Sequence, residues 1–551
     1  MPANAPRQLP NTANPEPNQV IYCFPGFQIR FVQAIRTQPD EGNSSLCHNA
    51  AVHRLMARAI RLLAATSGVL CFVQSAHGAD PYSAIRQDIE REIAVGRATG
   101  VAVALTQNGK IIWQQGFGWA DKERGRRATP DTPFSLASVT KPFTTTALMV
   151  LVAAKKVSLD ARANDYLGAA KIRAGVGNPN DVTVRAVASH SSGLPGIFQL
   201  FPVGGPRKQP SMDDVIREYG VLVSPPNERY HYSNVGMGIV AHIVSRKSGL
   251  DFGEFLHRKV LEPLGLSHSF FDTDLSRRDE MAQRYDDLGN AFPFYVTSTP
   301  GTGELYASAH DVARFAMFHL KDHLADQQSI LTAQQIDELH HPMIRLLADR
   351  SYGVGWMIGH AFDGTTVLYH NGNQAGVVTV MMLLPSRDIS CVVLTNQDDD
   401  QELVERIRDA AIRTLVPEWS WKSLSPPPRE RLPETYRDNW QGRLHDGDKV
   451  VQLALSISEG KSTLCIEGQK PEPISDLGLV EGMMQDKTRG DLGLPATRAA
   501  KAVGLSLRLQ LRGSKLEGEI GAEAPIPHAR EPDHLPFWAE FSRVDANTPG
   551  Q

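Results

Sequence analysis

The sequence predicts an α+β protein in which helices flank one antiparallel sheet and form an insertion within it, followed by a small barrel-like all-β domain. Three observations support this fold class. Two hairpin patterns lie at the two ends of residues 100–396. Between them, apolar residues recur mainly at the spacing of helices. A proline-rich stretch at residues 425–430 then separates this part from a region in which apolar and polar residues alternate.

The first elements expected after residue 80 are an amphipathic helix and a hairpin. Ile85, Ile89 and Ile93 recur every four residues, which places them on one face of a helix. Asn108-Gly109 then lies between two apolar runs, and this dipeptide is the strongest short signal for a hairpin turn. The main domain is therefore expected to open with a helix and two antiparallel strands.

Helices are expected to fill the middle of this domain. A long helical stretch begins at Ser138 and runs to about residue 156. Further helices are predicted over residues 211–220, 234–248, 252–262 and 309–321. A second hairpin is predicted over residues 376–396 and a closing helix over residues 401–415. Strands at both ends with helices between them indicate one antiparallel sheet.

The region after the prolines has the pattern of half-buried strands. Leu505, Leu507 and Leu509 alternate with polar residues, and a segment near residue 453 does the same. The predicted parts of the chain are an N-terminal extension (1–55), a signal peptide (56–79), a main domain (80–418), a proline-rich linker (419–433) and a small β domain (434–551).

The N-terminal residues have the character of a leader. Residues 1–55 are rich in proline, asparagine and glutamine, which indicates a disordered or non-native extension. Arginines at 54, 58 and 61 then precede an apolar run at residues 62–73 and small residues at 76 and 78, the layout of a secretory signal peptide. The alternatives are a membrane anchor, although the run is shorter than the ~20 residues of a span, and a lipid anchor on Cys71. We expect a periplasmic or secreted protein without a stable membrane span once the leader is removed.

Composition excludes several classes of function. The net charge is −4 over 551 residues, so no basic surface for nucleic acid is indicated. Cys391 and Cys465 lie inside apolar runs, as core residues do, and no CxxC or HExxH motif occurs. We therefore predict no metal, no cofactor and no nucleic-acid partner. A small molecule or a peptide remains as the ligand, and the oligomeric state stays open.

The first chemical motif lies at the start of the long helix. Ser138 precedes Lys141 by three residues, so the two side chains share a helix face. The lysine amine can then hold or accept the serine proton, and the helix N-terminus favours negative charge that develops at the serine. The structural alternative is an N-cap serine followed by a surface lysine. Ser458 and Lys461 have the same spacing, but they lie between two predicted strands and indicate a turn.

Two further short motifs lie far along the chain. Tyr232-Ser233-Asn234 offers a phenol that a nearby lysine can convert into a base, and an amide that can hold a substrate carbonyl. A loop tyrosine packed on the core is the alternative, and Tyr369-His370-Asn371 matches the same pattern. His370-Asn371-Gly372-Asn373 opens the second hairpin, where strand N–H groups can stabilise a developing oxyanion.

The order of the three motifs resembles that of the serine β-lactamase and penicillin-binding-protein superfamily, and most closely its branch of class C β-lactamases, D-aminopeptidases and related esterases. Three other segments agree with this resemblance. Residues 189–196 (SHSSGLPG) are similar to the family's HTSGLPG, residues 303–315 (GELYASAHDVARF) to GGLYSTARDLARF, and residues 352–356 (YGVGW) to YGLGW. The resemblance covers about residues 85–415.

The resemblance implies a serine hydrolase with a β-lactamase/transpeptidase-like fold that forms an acyl-enzyme on Ser138. Lys141 and Tyr232 would act as the base system, and which of them deprotonates the serine stays open. Asn234 would orient the substrate amide. The backbone N–H groups of Ser138 and Asn373 would form the oxyanion hole.

The third motif departs from the family's pattern, because His370 stands where the β-lactamases have a lysine, two residues before Gly372. Histidine is mostly neutral near pH 7, so D-amino-acid peptides, amides and small esters become better candidates than β-lactams, which stay open. The alternative function is a non-catalytic peptidoglycan- or penicillin-binding module on the same fold. A Gly-x-Ser-x-Gly hydrolase and a zinc hydrolase are excluded, since the chain has neither the pentapeptide nor clustered ligands.

Overall fold

The structure is a computed structural model, and it describes residues 80–544 except 274, 323, 399–400, 422–426, 448, 528 and 530–531. The predicted N-terminal extension (1–55) and signal peptide (56–79) lie outside the described residues, as does part of the predicted linker, and these assignments stay predictions. In the part of the chain that the structure describes, no helix is long and apolar enough to cross a membrane.

A nine-stranded antiparallel sheet forms the centre of the main domain. The strands of this domain are β1 (Gly100–Gln107), β2 (Lys110–Asp121), β3 (Arg126–Arg127), β4 (Phe134–Ser135), β5 (Arg173–Ala174), β6 (Leu200–Pro202), β7 (Val221–Leu222), β8 (Ser269–Phe271), β9 (Tyr295–Thr297), β10 (Leu305–Ala307), β11 (Ile344–Leu347), β12 (Arg350–Tyr352), β13 (Met357–His360), β14 (Thr366–Gln374), β15 (Val377–Leu384) and β16 (Ile389–Thr395). The order in the central sheet is β11-β12-β13-β14-β15-β16-β1-β2-β3. The two predicted hairpins thus meet, since β1 pairs with β16.

Helices cover both faces of this sheet, which confirms the predicted α+β fold. They are α1 (Ser83–Ala94), α2 (Thr140–Ala153), α3 (Val184–Ala188), α4 (Met212–Tyr219), α5 (Asn234–Ser248), α6 (Phe252–Leu256), α7 (Ala309–Leu320), α8 (Ala333–Leu339), α9 (Gln401–Arg413) and, in the C-terminal domain, α10 (Pro495–Ala500). Successive strand residues point to opposite faces. Val101 and Val103 accordingly pack with α1 and α9, while Ala102 and Ala104 pack in the core that α2 and α7 fill.

Two helices differ in detail from the prediction. The helix expected to begin at Ser138 begins at Thr140, because Ala137–Val139 form a 3-10 turn before it. The helix predicted over residues 252–262 consists of α6 and a wider π-helical turn at His257–Leu261. Turns of three to five residues are too short for their hydrophobic period to be distinguished from that of an α-helix, so the pattern does not separate them.

The C-terminal domain is all β apart from α10, as predicted. Its strands are β17 (Arg429–Arg431), β18 (Asp438–Asp446), β19 (Lys449–Ile457), β20 (Ser462–Ile466), β21 (Glu472–Ile474), β22 (Gly478–Val480), β23 (Met483–Arg489), β24 (Gly504–Arg512), β25 (Lys515–Ala524) and β26 (Asp533–Arg543). They form one sheet in the order β17-β22-β23-β24-β25-β26-β18-β19-β20-β21. The sheet curls until β21 lies near β23, which gives a half-barrel.

Candidate active site

Ser138 lies on the short turn that joins β4 to α2. Ala137, the residue before it, has a φ of 46°, a left-handed conformation that costs a non-glycine residue energy. The Thr379 hydroxyl on β15 donates to the carbonyl oxygen of Leu136 at 2.8 Å and holds this turn against the sheet. The strained turn thereby presents the half-buried Ser138 to a cavity of about 440 Å³.

Lys141 lies directly beneath Ser138, one turn along the same helical segment. Its Nζ donates to Ser138 Oγ at 3.0 Å and to the carbonyl oxygen of Thr302 at 2.9 Å. The side chain is fully buried. Burial lowers the pKa of Lys141 to about 7, against the opposing effect of the Glu304 carboxylate. The amine can therefore change charge near neutral pH, which an exposed lysine cannot.

Tyr232 approaches Ser138 from the other side. Its hydroxyl donates to Ser138 Oγ at 2.8 Å, and Lys141 Nζ lies 4.8 Å from the centre of its ring. The next residue, Ser233, caps α5 by accepting from the Gly236 N–H at 2.9 Å. The serine, the lysine and the tyrosine predicted from separate motifs thus meet at one oxygen atom.

His190 holds the tyrosine motif in place, and sequence reasoning did not single it out. Its Nδ1 accepts from the Ser233 N–H at 3.1 Å, and its carbonyl oxygen accepts from the His231 N–H at 2.7 Å. Its ring lies 4.4 Å from that of Tyr232. Burial lowers the pKa of His190 well below its ordinary value, so the ring is neutral. The only signal in the sequence was its place in the segment 189–196 that resembles the family.

Asn234 lines the cavity from the first turn of α5. Its Nδ2 donates to the carbonyl oxygen of Ile197 at 2.8 Å. Its Oδ1 is buried and has no hydrogen-bond partner among the described residues. A buried acceptor without a partner is costly, so this oxygen is suited to accept an N–H from a ligand.

Strand β14 forms the opposite wall of the cavity. Its pairing with β13 ends at Tyr369. The edge of β14 after Tyr369 is therefore open towards the cavity, and Asn373 is exposed on this edge. Gly372 does not line the cavity but packs against the turn of Ser138. A Cβ atom on Gly372 would lie 2.3 Å from the carbonyl oxygen of Leu136, closer than any side chain allows. Glycine therefore permits the close approach of this strand to the Ser138 turn.

His370 is buried at the side of the cavity and both of its ring nitrogens are occupied. Nδ1 donates to the carbonyl oxygen of Asn371 at 2.7 Å, which leaves Nε2 to accept from the Tyr352 hydroxyl at 3.0 Å. Burial, assisted by the nearby Lys141 amine, lowers the pKa of His370 to about 3. The ring is therefore neutral and offers no positive charge to a ligand.

The C-terminal domain contributes to the cavity, which no local motif had indicated. His534 on β26 lines it. Phe198 and His534 exchange two backbone hydrogen bonds of 3.1 and 2.6 Å. The Asp533 carboxylate accepts from the Leu200 N–H at 2.9 Å and from Arg207 at 2.6 Å. One wall of the cavity is thus held by the half-barrel.

Competing motifs and other reactive groups lie elsewhere. The Ser458 hydroxyl donates to the Lys461 carbonyl oxygen at 2.5 Å in the turn between β19 and β20, so this second copy of the serine motif forms a turn, as predicted. Tyr369 belongs to the core on the other face of the sheet. Among the described residues there is no group of three or more His, Cys, Asp or Glu side chains that could hold a metal ion.

Several known proteins resemble this chain in sequence. A model of the Beta-lactamase family matches residues 85–415, more than half of the chain. Unguisins hydrolase ungD′ of Aspergillus campestris is 27% identical over 316 residues, which cover 54% of this chain and 58% of that protein. Penicillin-binding protein 4* of Bacillus subtilis is 24% identical over 337 residues, which cover 57% of this chain and 71% of that protein.

The fold also matches a solved structure. The octameric penicillin-binding protein homologue from Pyrococcus abyssi has a TM-score of 0.53 and 20% identity over 83% of this chain and 99% of that chain. This likeness extends over both the helical-and-sheet domain and part of the half-barrel, since the main domain alone does not reach that coverage. The chain spans little more than half the length of the hydrolase from Aspergillus.

Proposed function

Because the chain belongs to the Beta-lactamase family of serine hydrolases, as the resemblance of its motifs indicates, we propose that it cleaves an ester or amide bond through an acyl-enzyme on Ser138. One observation carries the proposal. Ser138 Oγ accepts hydrogen bonds from Lys141 at 3.0 Å and from Tyr232 at 2.8 Å beside a cavity that can hold an acyl group. A nucleophile within hydrogen-bond reach of its base is the arrangement that covalent catalysis requires.

Acylation begins when the neutral Lys141 amine takes the Ser138 proton and Oγ bonds to the substrate carbonyl carbon. A pKa of about 7 leaves about half of the amine neutral at pH 7, which favours Lys141 as the acceptor. The N–H groups of Ser138 and Asn373 stabilise the oxyanion. The carbonyl then re-forms, the bond to the leaving group breaks, and Tyr232 relays the proton from Lys141 to the departing oxygen or nitrogen.

Deacylation reverses these roles with water as the nucleophile. Lys141 and Tyr232 take a proton from the water as its oxygen bonds to the acyl carbon. The bond between that carbon and Ser138 Oγ then breaks, and the serine regains its proton. The products are the carboxylic acid and the free enzyme.

The cavity favours an uncharged acyl group. No lysine, arginine, aspartate or glutamate is among the described residues that line it, and the buried His370 is neutral. Its apolar walls come from Ile197, Phe198 and Met357. A charged group buried without a partner is costly, so a carboxylate-bearing β-lactam is disfavoured against a small ester or an uncharged D-amino-acid amide or peptide.

The test compares wild type with Ser138→Ala and with Ser458→Ala, which removes the serine of the second Ser-x-x-Lys copy. We expect a fluorophosphonate probe to add mass at Ser138 in wild type and in Ser458→Ala, and not in Ser138→Ala. Short-chain esters, D-aminoacyl amides with free and blocked amines, and a chromogenic cephalosporin are then assayed with all three. Hydrolysis that survives in Ser138→Ala would contradict the proposal, and a probe or penicillin adduct with no turnover of any substrate would favour the non-catalytic binding module.

A further inference from the structure

Glu304 is a buried acid close to the site that none of the three motifs contains. Only 2% of its surface is exposed. It follows Thr302 and Gly303 at the start of β10, and it occupies the position of a second glycine in the family's segment GGLYSTARDLARF. A glutamate at this place in the chain has the local pattern of a surface loop residue, so its burial needs a physical reason.

Its carboxylate organises the loop that receives the Lys141 amine. One oxygen, Oε2, accepts from the N–H groups of Thr302 at 2.9 Å and Gly303 at 2.8 Å. The other, Oε1, accepts from the Thr297 hydroxyl and lies 3.3 Å from the Thr302 hydroxyl, which donates at 2.7 Å to the carbonyl oxygen of Thr299. Three donors on two oxygens suit an ionised carboxylate. The peptide unit after Thr302 is thereby fixed, and it is the carbonyl oxygen of Thr302 that accepts from Lys141 Nζ at 2.9 Å.

The same loop is tied to the helix that carries Lys141. The Thr144 hydroxyl donates to the carbonyl oxygen of Gly301 at 2.7 Å, and the Leu305 N–H donates to the Thr140 hydroxyl at 3.3 Å. The distance between Glu304 and the lysine is therefore set by the packing of β10 against α2. A rearrangement of the loop would have to break these contacts together.

The charge of Glu304 opposes the effect of burial on the lysine. Burial lowers the pKa of Lys141 and the Glu304 carboxylate raises it, with a value of about 7 as the result. The other groups that face Lys141 are the Tyr232 ring and two histidines, His190 and His370, whose pKa values burial lowers so that they stay neutral. The two neutral histidines supply no negative charge.

On the far side of Glu304 lie one more acid and one cation. Burial, together with the charge of Glu304, raises the pKa of Asp272 well above its ordinary value, and Arg284 only partly offsets this. The ionised form of Asp272 is therefore disfavoured while Glu304 carries its charge. Glu304 is the carboxylate whose charge acts on Lys141 and favours its ammonium form.

We propose that Glu304 is a positioning residue of the hydrolase, which holds the Thr302 carbonyl against Lys141 and supplies the negative charge that stabilises the lysine in its ammonium form. The inference rests on the proposed reaction at Ser138, in which Lys141 takes a proton and returns it in each half-reaction. An amine without a nearby anion would accept the serine proton less readily in a buried site. Lys141 thus exchanges the proton, and Glu304 stabilises the charged form of Lys141.

The experiment measures the rate of fluorophosphonate labelling of Ser138 against pH in wild type, Glu304→Gln and Asp272→Asn. In wild type the rate rises with pH through the pKa of Lys141, because only the neutral amine can take the serine proton. Loss of the Glu304 charge lowers the pKa of Lys141. In Glu304→Gln, the rising limb of the curve of labelling rate against pH is therefore expected about one pH unit lower than in wild type, with a reduced maximum rate. Asp272→Asn removes a second, equally buried acid whose carboxylate makes no hydrogen bond to the described Thr302 loop, and it is expected to leave the pH dependence of the labelling rate as in wild type.

Two further variants complete the design. Glu304→Asp keeps the charge, so its limb is expected to return towards that of wild type even where its plateau is lower. Glu304→Met, uncharged and of similar length, replaces Glu304→Gln if the glutamine variant does not fold in a thermal melt. If the labelling rate of the neutral variant rises over the same pH range as that of wild type, with or without a lower maximum, the inference is overturned. Labelling that persists in Ser138→Ala would instead contradict the proposed function itself.

Discussion

The substitution Gly372→Ala tests most directly whether the close contact between β14 and the Ser138 turn serves catalysis. A Cβ atom at Gly372 would lie 2.1 Å from Thr379 Oγ1 and 2.3 Å from the carbonyl oxygen of Leu136. The Thr379 side chain can turn away only by giving up its hydrogen bond to Leu136, and the Leu136 oxygen is backbone and cannot turn away. The variant must therefore separate the strand from the turn.

The size of the separation follows from these distances. Ordinary contact begins at 3.4 Å, so the strand has to retreat by about 1.1 Å from the 2.3 Å approach. Oxyanion donors act at about 2.7–3.1 Å, and a retreat of about 1 Å takes the Asn373 N–H beyond hydrogen-bond range. We expect kcat to fall by about 10²–10³-fold, the effect of losing one oxyanion donor. The overpacking itself is expected to cost about 1–3 kcal/mol of folding free energy.

The assay combines steady-state hydrolysis of the best ester with thermal unfolding of the same samples. Gly504→Ala on β24 is the matched control, because its Cβ would lie 3.3 Å from its nearest neighbour, the Glu523 Cβ, and its backbone conformation suits alanine. This control is expected to keep wild-type activity and stability. If Gly372→Ala lost stability but hydrolysed the ester at the wild-type kcat, the assignment of β14 to the oxyanion hole would be wrong.

Three further outcomes are expected. Burial lowers the pKa of Lys141 to about 7 and only the neutral amine accepts a proton, so kcat/KM should rise as the pH rises through about 7. Lys141→Met should lose about 10²–10⁴-fold in activity. A kcat/KM of wild type that does not change with pH would contradict this. His370→Lys adds an ammonium group to a cavity whose described lining residues include no lysine or arginine, so the rate with a chromogenic cephalosporin should rise relative to that with a neutral ester. An unchanged ratio would count against the substrate argument. Asp533→Ala removes the acceptor for the Leu200 N–H and Arg207, so steady-state kinetics should show a higher KM with kcat largely kept; an unaltered KM would mean that the half-barrel does not shape the binding site.

The middle of the central sheet could be predicted from the sequence because β1, β2, β15 and β16 carry local signals, whereas β3 and β11 to β13 were not predicted. The Asn108-Gly109 turn and the long apolar runs of β15 and β16 identify two hairpins, and the predicted fold class is confirmed. The pairs β4 with β10 and β6 with β9 were not predicted. Strands of two or three residues contain no period to detect, and their pairing depends on residues more than 90 positions apart in the chain.

The contacts of the candidate site also differ in whether the local sequence could predict them. The contact of Ser138 with Lys141 is local, since helical spacing alone brings the two together. The contact of Ser138 with Tyr232 spans 94 residues, and it was predicted only because the ordered motifs resembled a family. Glu304 and His534 carry no motif, and only the folded structure shows that one is buried beside the lysine and the other lines the cavity. A local pattern indicates the chemistry that a side chain can perform. Its burial and its neighbours from distant parts of the chain determine whether it lies where that chemistry can take place.

The half-barrel also contacts the residue next to Tyr232, the tyrosine of the proposed base system. Glu519 on β25 lies 3.7 Å from His231 Nε2, the residue next to Tyr232, and 3.9 Å from Arg508. Burial alone would raise the pKa of Glu519, but His231 and Arg508 lower it to about 2, so it is a buried anion that depends on partners in both domains. With both domains in place, loss of His231 or of Arg508 would leave Glu519 as a buried charge short of a partner, which is costly. The half-barrel therefore supports the tyrosine loop through Glu519 and the cavity wall through Asp533, so a change at Glu519 is expected to lower kcat, whereas a change at Asp533 is expected to raise KM.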